Sequence, residues 1–329
     1  MNCTKKLLGA LALSVSALTL LAPALAQAQV AWPIRPVTLV VPFPPGGGTD
    51  TGARLVASKL AARWGQPVVV ENKAGAAGMI GSEAVARSKP DGYTLLMGNI
   101  GTQAINPSLY KTMSYDPASA FAPVALVAEL PLAMMVNPSV AAKTARDFVA
   151  LAKSQPGKLS YSSSGAGGAP HLAAEMFKDA SGTEILHVPY RGGGPAVSDL
   201  IAGHVQLSFM TVLEASGHIK AGKLRALAVT SAQRVSALPD VPTLAESAVP
   251  GFNSISWIGV LAPAGTPREV VDKISADIRE LLATAEVKDK LVELGAIPAG
   301  STPAAFQTLI EADRKRYAQI IRDKKISLE

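Results

Sequence analysis

The sequence predicts an α/β protein of two lobes, each a mainly parallel sheet flanked by helices. Three observations predict this. Strand-like and helix-like patterns alternate almost throughout the chain, and such alternation builds parallel sheets covered by helices on both faces. The strand candidates are short and bounded by Gly, Pro or Asn, with 28 Gly and 24 Pro among 329 residues. That is a loop-punctuated composition, not a disordered one. Once an N-terminal export segment is set aside, about 300 residues remain, enough for two separate cores, with a single sheet of nine or more strands as the alternative.

The export segment is residues 1–26. Lys5 and Lys6 form a positive start, Leu7 to Leu21 is almost purely apolar, and Ala24-Leu25-Ala26 is a small-residue cleavage site, the pattern of a secretory signal peptide. The apolar run is short for a membrane span. Cys3, the sole cysteine, precedes that run and leaves with it. Export without disulfides suits a bacterial periplasm.

Strands are then expected at Val37–Val41, Val68–Glu71, Thr94–Met97, Ala133–Val136, Lys158–Ser162, Ile185–Val188, Gln206–Phe209, Leu224–Ala228 and Ser256–Leu261, from their β-branched or Leu-rich content and flanking breakers. The helix over Asp50–Trp64 places Val56, Leu60 and Trp64 on one stripe, and Gly65 ends it. Shorter helices are expected at Gly81–Arg87, Thr144–Ser154, His171–Ser181 and Pro195–Ala202. Thr266-Pro-Arg-Glu269 reads as a capping box opening a helix that buries Val270, Ile274, Ile278 and Leu281. Thr302-Pro303 opens the last helix, which buries Phe306, Ile310, Tyr317 and Ile321. Pro131 and the Pro239–Pro250 region are candidate crossings. One lobe would then comprise residues 30–131 and 250–329, and the other residues 132–249.

The net charge is +6, and without Lys5 and Lys6 there are 29 basic against 25 acidic residues. That excess suits anionic solutes. No Lys/Arg stripe or aromatic platform accompanies it, so nucleic acid is not an expected partner. The four histidines have no metal-ligand spacing. No metal and no cofactor is expected.

The chemistry is concentrated in loops. Val37 to Val41 runs into Pro42-Phe43-Pro44-Pro45-Gly46-Gly47-Gly48-Thr49-Asp50. A strand that breaks into a glycine loop at a helix start bares N–H groups that favour an anion. The loop is neither a P-loop nor a dinucleotide fingerprint. Asp50 is read as the N-cap of the helix rather than a catalytic acid. A second loop, Tyr161-Ser162-Ser163-Ser164-Gly165-Ala166-Gly167-Gly168-Ala169-Pro170-His171, again leads from strand to helix. It offers hydroxyls and N–H groups to a carboxylate. Ser164 with His171 as base would make a hydrolase, but the pattern lacks G-x-S-x-G and an orienting third group. His171 is instead read as capping or packing against its helix. In a third loop, Tyr190 and Arg191 suit a carboxylate, with a plain surface turn as the alternative for Arg191. Asn99, Thr102 and Gln103 either bind a ligand or close a turn. Many binding loops and few catalytic groups favour a receptor over an enzyme.

The chain also resembles the periplasmic solute receptors of tripartite tricarboxylate transporters, the Bug family. The marks are Trp32-Pro33-x-Arg35-Pro36, Val41-Pro-Phe-Pro-Pro-Gly-Gly-x-x-Asp50 with Ala53-Arg54, Gly65-Gln66-x-Val68-Val-Val-Glu-Asn72, Pro90-Asp-Gly-Tyr-Thr-Leu-Leu96, Asn106-Pro-x-Leu-Tyr110, His187-Val-Pro-Tyr190, Gly222-Lys223-x-Arg225-Ala-Leu-Ala-Val229, Leu238-Pro-Asp-Val-Pro-Thr243 and Ala262-Pro-x-Gly-Thr-Pro267. The resemblance implies a two-lobed fold of the periplasmic-binding-protein type (type II) with a ligand cleft between the lobes. It also implies a carboxylate solute gripped by Phe43–Asp50 and Ser162–His171, delivery to integral membrane permease subunits, and no catalysis. The ligand-binding residues are then expected to be Phe43, Pro44, Gly46, Gly47, Gly48, Thr49, Asp50, Asn99, Ser162, Ser164, Gly165, Ala166, Gly167, Gly168, His171, Tyr190, Arg191 and Thr211. Two departures stand out. Gly168 replaces a frequent Ser or Thr, and Met210 stands where many members carry an Asp suited to an amino group. A plain mono- or dicarboxylate, aliphatic or aromatic, fits better than an amino acid. Reporting a solute to a two-component sensor is the alternative to transport.

Overall fold

The computed structural model describes residues 32–324 and 326. The signal-peptide reading and Cys3 lie outside them. By its contacts the chain splits after Ile34, and every element below belongs to the second unit, Arg35–Glu329. In chain order the elements are β1 (Val37–Val41), α1 (Gly48–Trp64), β2 (Val68–Asn72), α2 (Met79–Ala86), β3 (Thr94–Asn99), α3 (Asn106–Leu109), β4 (Phe121–Val136), α4 (Ala145–Ser154), β5 (Ser160–Ser163), α5 (Ala169–Ser181), β6 (Leu186–Pro189), α6 (Gly193–Ala202), β7 (Leu207–Thr211), α7 (Val212–Lys220), β8 (Arg225–Val229), α8 (Leu244–Ser247), β9 (Ile255–Pro263), α9 (Arg268–Ala283), α10 (Ala285–Glu293), β10 (Ile297–Pro298) and α11 (Pro303–Asp323).

The strands form one sheet in the order β2-β1-β3-β9-β4-β7-β5-β6, with β8 and β10 also paired to β4. The expected parallel pairings are present, β1 with β2 and β3, and β5 with β6 and β7. The crossing strands β4 and β9 add antiparallel pairings. β4 changes partners in mid-course. Phe121–Pro131 pairs with β9, and Leu132–Val136 pairs with β7 and β8. Only Ala133–Val136 was expected as strand. The longer reach was hidden by Pro123 and Pro131, because proline argues against a central strand. Pro123 sits where the β4–β9 register shifts, and Pro131 ends the β9 pairing, so each proline occupies a position where the ladder is already interrupted.

Two buried polar anchors tie helices to this frame. Trp257 of β9 donates its indole N–H to Asp313 Oδ2 of α11 at 2.7 Å and meets Phe306 edge-on at 5.3 Å. Asp277 of α9 accepts from Trp64 Nε1 (2.7 Å), Arg63 Nε (2.7 Å) and Lys273 Nζ (2.9 Å), which locks α9 against the end of α1. Burial pushes the Asp277 carboxyl up, but these hydrogen bonds outweigh it and hold the group below its usual range.

α9 departs from expectation in two ways. Its N-cap is Pro267, without a side-chain cap, because the Thr266 hydroxyl donates to the Pro263 carbonyl at 2.8 Å instead. Its buried stripe is Val271, Ile274, Ile278 and Leu282, with Val270 and Leu281 only half-buried. Neighbouring apolar residues fit a 3.6-residue period equally well, and the rotation of the helix on its sheet chooses between them. The last helix buries Phe306, Ile310, Tyr317 and Ile321 as expected, with Thr302 as its N-cap.

Candidate functional site

Four helices begin where β1, β5, β6 and β7 end, namely α1, α5, α6 and α7. Their first turns meet around one narrow cavity of about 60 Å³. Phe43, Gly47, Gly48 and Thr49 line it from the α1 side, and Ser164, Gly168, Ala169 and Pro170 from the α5 side. Gly193 of α6, Thr211 and Glu214 at the start of α7, and Asn99 at the end of β3 complete most of the wall. Leu130 of β4 and Ser256 of β9 form the remainder. In open α/β sheets ligands bind outside the carboxyl ends of the strands, which is where this cavity lies.

The electrostatics follow from the helix starts. α1, α5 and α6 have Gly47, Gly168 and Gly192 as N-caps, none with a side-chain cap. A glycine cap offers no side chain to the first-turn N–H groups and lets a guest approach the backbone. The positive ends of these helix dipoles converge on the cavity, and no Lys or Arg among the described residues lines it. Of the helices starting elsewhere, those at Thr144, Thr243 and Thr302 are capped by their threonine hydroxyls, and those at Gly78, Pro267 and Thr284 have no side-chain cap.

The loop amides themselves are mostly spent. Gly46 N–H donates to Asp50 Oδ2 (3.0 Å), Gly165 N–H to Ser163 Oγ (3.3 Å) and Gly167 N–H to His171 Nδ1 (3.1 Å). Gly168 N–H donates to the Gly165 carbonyl at 3.2 Å. Asp50 is therefore not an N-cap. It stands in the first turn of α1, and its carboxylate folds back to Gly46, which at φ +86° turns its N–H inward. It also accepts from Arg54 Nε and Asn72 Nδ2, both at 2.9 Å. Burial raises the Asp50 carboxyl, while the Arg54, Gly46 and Asn72 hydrogen bonds outweigh that and hold it low.

Below the second loop lies a stacked column. The His187 ring lies 4.8 Å from Tyr161 and 4.2 Å from His171, nearly parallel to both. His187 Nε2 is 2.6 Å from Ser163 Oγ, and Tyr161 donates to Glu175 Oε1 at 2.6 Å. Burial, then the His171 ring, bring His187 down to about 4, and burial lowers His171 as well. Both rings are neutral supports at pH 7. Among the described residues no hydrogen bond joins Ser164 to His171, whose Nδ1 is held by Gly167.

The remaining expected residues, Asn99 apart, do not line the cavity. Ser162 is buried and donates to the Ala196 carbonyl. Ala166 accepts from Tyr110, and Pro44 abuts Gly192. Tyr190 donates to Asp199 at 2.5 Å, and Arg191 is exposed. Asn99 both lines the cavity and closes the expected turn with Thr102 through reciprocal bonds of 3.0 and 3.1 Å. Gln103 is buried and its carbonyl accepts from Arg314.

Comparison with known proteins places this geometry. Residues 52–326 match the model of the Tripartite tricarboxylate transporter family receptor. The chain belongs to that family. The receptor is 40% identical to a protein encoded in the tcbD-tcbE intergenic region of Pseudomonas sp. (strain P51), over 92% of this chain and 90% of that one. It is 36% identical to Protein BugT of Bordetella pertussis, over 98% of both. Among solved structures it is similar to Rpa4515 of R. palustris with adipate (39% identity, 90% and 99% of the two chains, TM-score 0.89). It is also similar to MatC of Rhodopseudomonas palustris with bound malate (32%, 88% and 100%, TM-score 0.83). The receptor thus has the two-lobed α/β fold of periplasmic binding proteins.

Two features of the receptor differ from the sequence-based account. Met210 lies wholly in the core with Val197 and Leu200. On a strand that alternates faces, Thr211 is the residue that reaches the cavity, so Met210 says nothing about the ligand. Glu214 was missed. Thr211-Val-Leu-Glu214 has the form of a capping box, and the Thr half is present, with Glu214 N–H donating to Thr211 Oγ1 at 3.3 Å. The Glu half is not, since the side chain turns toward the cavity wall.

Proposed function

We propose that the receptor captures a small organic carboxylate, a mono- or dicarboxylate, and delivers it to the membrane permease of a tripartite transporter. It works after export to the periplasm and cleavage of residues 1–26, and it catalyses no reaction. The observation that carries this reading is the meeting of four helix first turns, three with glycine caps that supply no side-chain hydrogen bond, around one cavity that no cationic side chain among the described residues lines. Such a site takes an anion through backbone N–H groups, and closure of the lobes desolvates and strengthens those charge-assisted bonds. The relatives with adipate and malate support the same ligand class. The lobes are read as residues 30–131 with 250–329, and 132–249, hinged where β4 passes from β9 to β7. Of the residues expected at the ligand, Phe43, Gly47, Gly48, Thr49, Asn99, Ser164, Gly168 and Thr211 are the ones that line the cavity.

The test is a thermal-shift screen of mono-, di- and tricarboxylates and aromatic acids. A ligand at a hundred times its Kd stabilises the native state by about 2.7 kcal/mol, which raises Tm by several degrees. If no acid raises Tm, the reading fails.

A further inference from the structure

We infer that Glu214 is a specificity-determining residue of the carboxylate site, donating an O–H···O hydrogen bond to the bound carboxylate, so that capture of the anion takes up a proton. The inference rests on the receptor reading above and deepens it.

Among the described residues Glu214 is the only titratable side chain that lines the cavity. Its Oε1 is shielded from solvent and has no hydrogen-bond partner. It is held close to the backbone of α6, since a Cβ on Gly193 would fall 1.8 Å from Oε1. The Gly48 N–H of α1 is the one group that favours its ionised form. Charged groups on the neighbouring elements are engaged elsewhere. On α1, Asp50 pairs with Arg54. On α6, Asp199 holds Tyr190 and His204. His171 of α5 holds Gly167. Glu129 of β4 and the last-turn His218 and Lys220 of α7 are outside the lining, and β9 carries no titratable side chain. Burial therefore pushes the Glu214 carboxyl up to about 7.

An ionised Glu214 would face an incoming carboxylate across a narrow cavity, and like charges at such short range are unfavourable. Protonation instead turns the unpartnered oxygen of Glu214 into an O–H donor toward the ligand carboxylate. The balance is simple. One proton moves from solvent to Glu214, the ligand stays a carboxylate, and no covalent bond other than that O–H is formed. A free group with pKa about 7 that is fully protonated in the complex takes up about half a proton at pH 7 and weakens affinity about tenfold from pH 6 to pH 8.

The experiment is isothermal titration calorimetry of the receptor with adipate, malate or another acid positive in the thermal-shift screen. Titrations at pH 7 in phosphate and in Tris measure proton uptake, and a series from pH 6 to 8 measures affinity. Glu214→Gln keeps a neutral donor of the same shape. The expected results are uptake of about half a proton in the wild type, and binding without pH dependence in the variant. Zero uptake, or the same pH slope in Glu214→Gln, overturns the inference while leaving the receptor reading intact. So does tighter binding at high pH confined to amine-bearing solutes, which marks Glu214 as an anionic partner. If no acid binds the wild type at any pH, the receptor reading fails and this inference falls with it. The proton-uptake measurement needs no variant, so it decides even if Glu214→Gln does not fold.

Discussion

Gly48→Ala tests the proposed closure of α1 and α7 on the ligand. Gly48 opens α1, and a Cβ there would fall 2.7 Å from Thr211 Oγ1 and 3.6 Å from the Thr211 Cβ and methyl carbon. Thr211 cannot simply rotate away, because its Oγ1 is the N-cap of α7 and accepts from Glu214 N–H. Losing that cap costs about 1 kcal/mol, and pressing a methyl group into a filled contact costs about 1–3 kcal/mol. The closed form is thus penalised by about 2 kcal/mol or more, which is about 30-fold in Kd. A slight widening between α1 and α7 relieves the clash, so the fold itself is spared. The assay is calorimetric Kd for the acids that stabilise the wild type, alongside Tm without ligand. The expected outcome is Kd weakened about 30-fold with unliganded Tm nearly unchanged. Unchanged Kd for every acid the wild type binds would refute the idea that these two first turns close on the ligand.

Further outcomes are expected of the frame around the site. Asp277→Ala removes the acceptor of the Trp64 indole N–H, while Arg63 keeps Glu280 and Lys273 keeps solvent, and should lower stability by about 1–3 kcal/mol, read from the urea midpoint at pH 7. Gly217→Ala lies on an exposed turn of α7 with open space at the Cβ. It should raise stability by about 0.5–1 kcal/mol and leave Kd unaltered. His187, depressed to about 4 in the fold, binds its proton more readily when unfolded. Its contribution is complete above pH 6.5 and is lost as pH falls from there to about 4, so the urea midpoint should drop over that window, and drop less in His187→Gln. Glu214, raised to about 7, acts with the opposite sign. Its cost grows as pH rises from about 4.5 through 7, and Glu214→Gln should gain stability relative to wild type above pH 7.

Local patterns were legible wherever one short segment sets its own conformation. β1 runs from Val37 to Val41 as its β-branched run implies, and Gly65 stops α1 in the left-handed conformation. Thr144 and Thr302 cap their helices. The two loops selected for anion binding both reach the cavity. What misled were residues whose roles depend on distant partners. Thr266 and Asp50 both resemble N-caps in sequence. Thr266 lost its hydroxyl to Pro263, and Asp50 became a first-turn brace for Gly46, Arg54 and Asn72. The full length of β4 was concealed because its prolines interrupt a ladder that only β9 reveals.

From residue order alone came the alternation of strands and helices, the positions of the glycine loops and the sign of the charge they invite. Those depend on local backbone freedom and on helix starts, which neighbours in sequence settle. Only the tertiary structure decided that four first turns share one cavity, that Met210 turns into the core while Thr211 faces the cavity, and that Glu214 leaves its own cap to stand there with only the Gly48 N–H to favour its charge. Burial and the absence of a counter-charge are properties of what surrounds a side chain, and those surroundings are assembled from strands far apart in the chain.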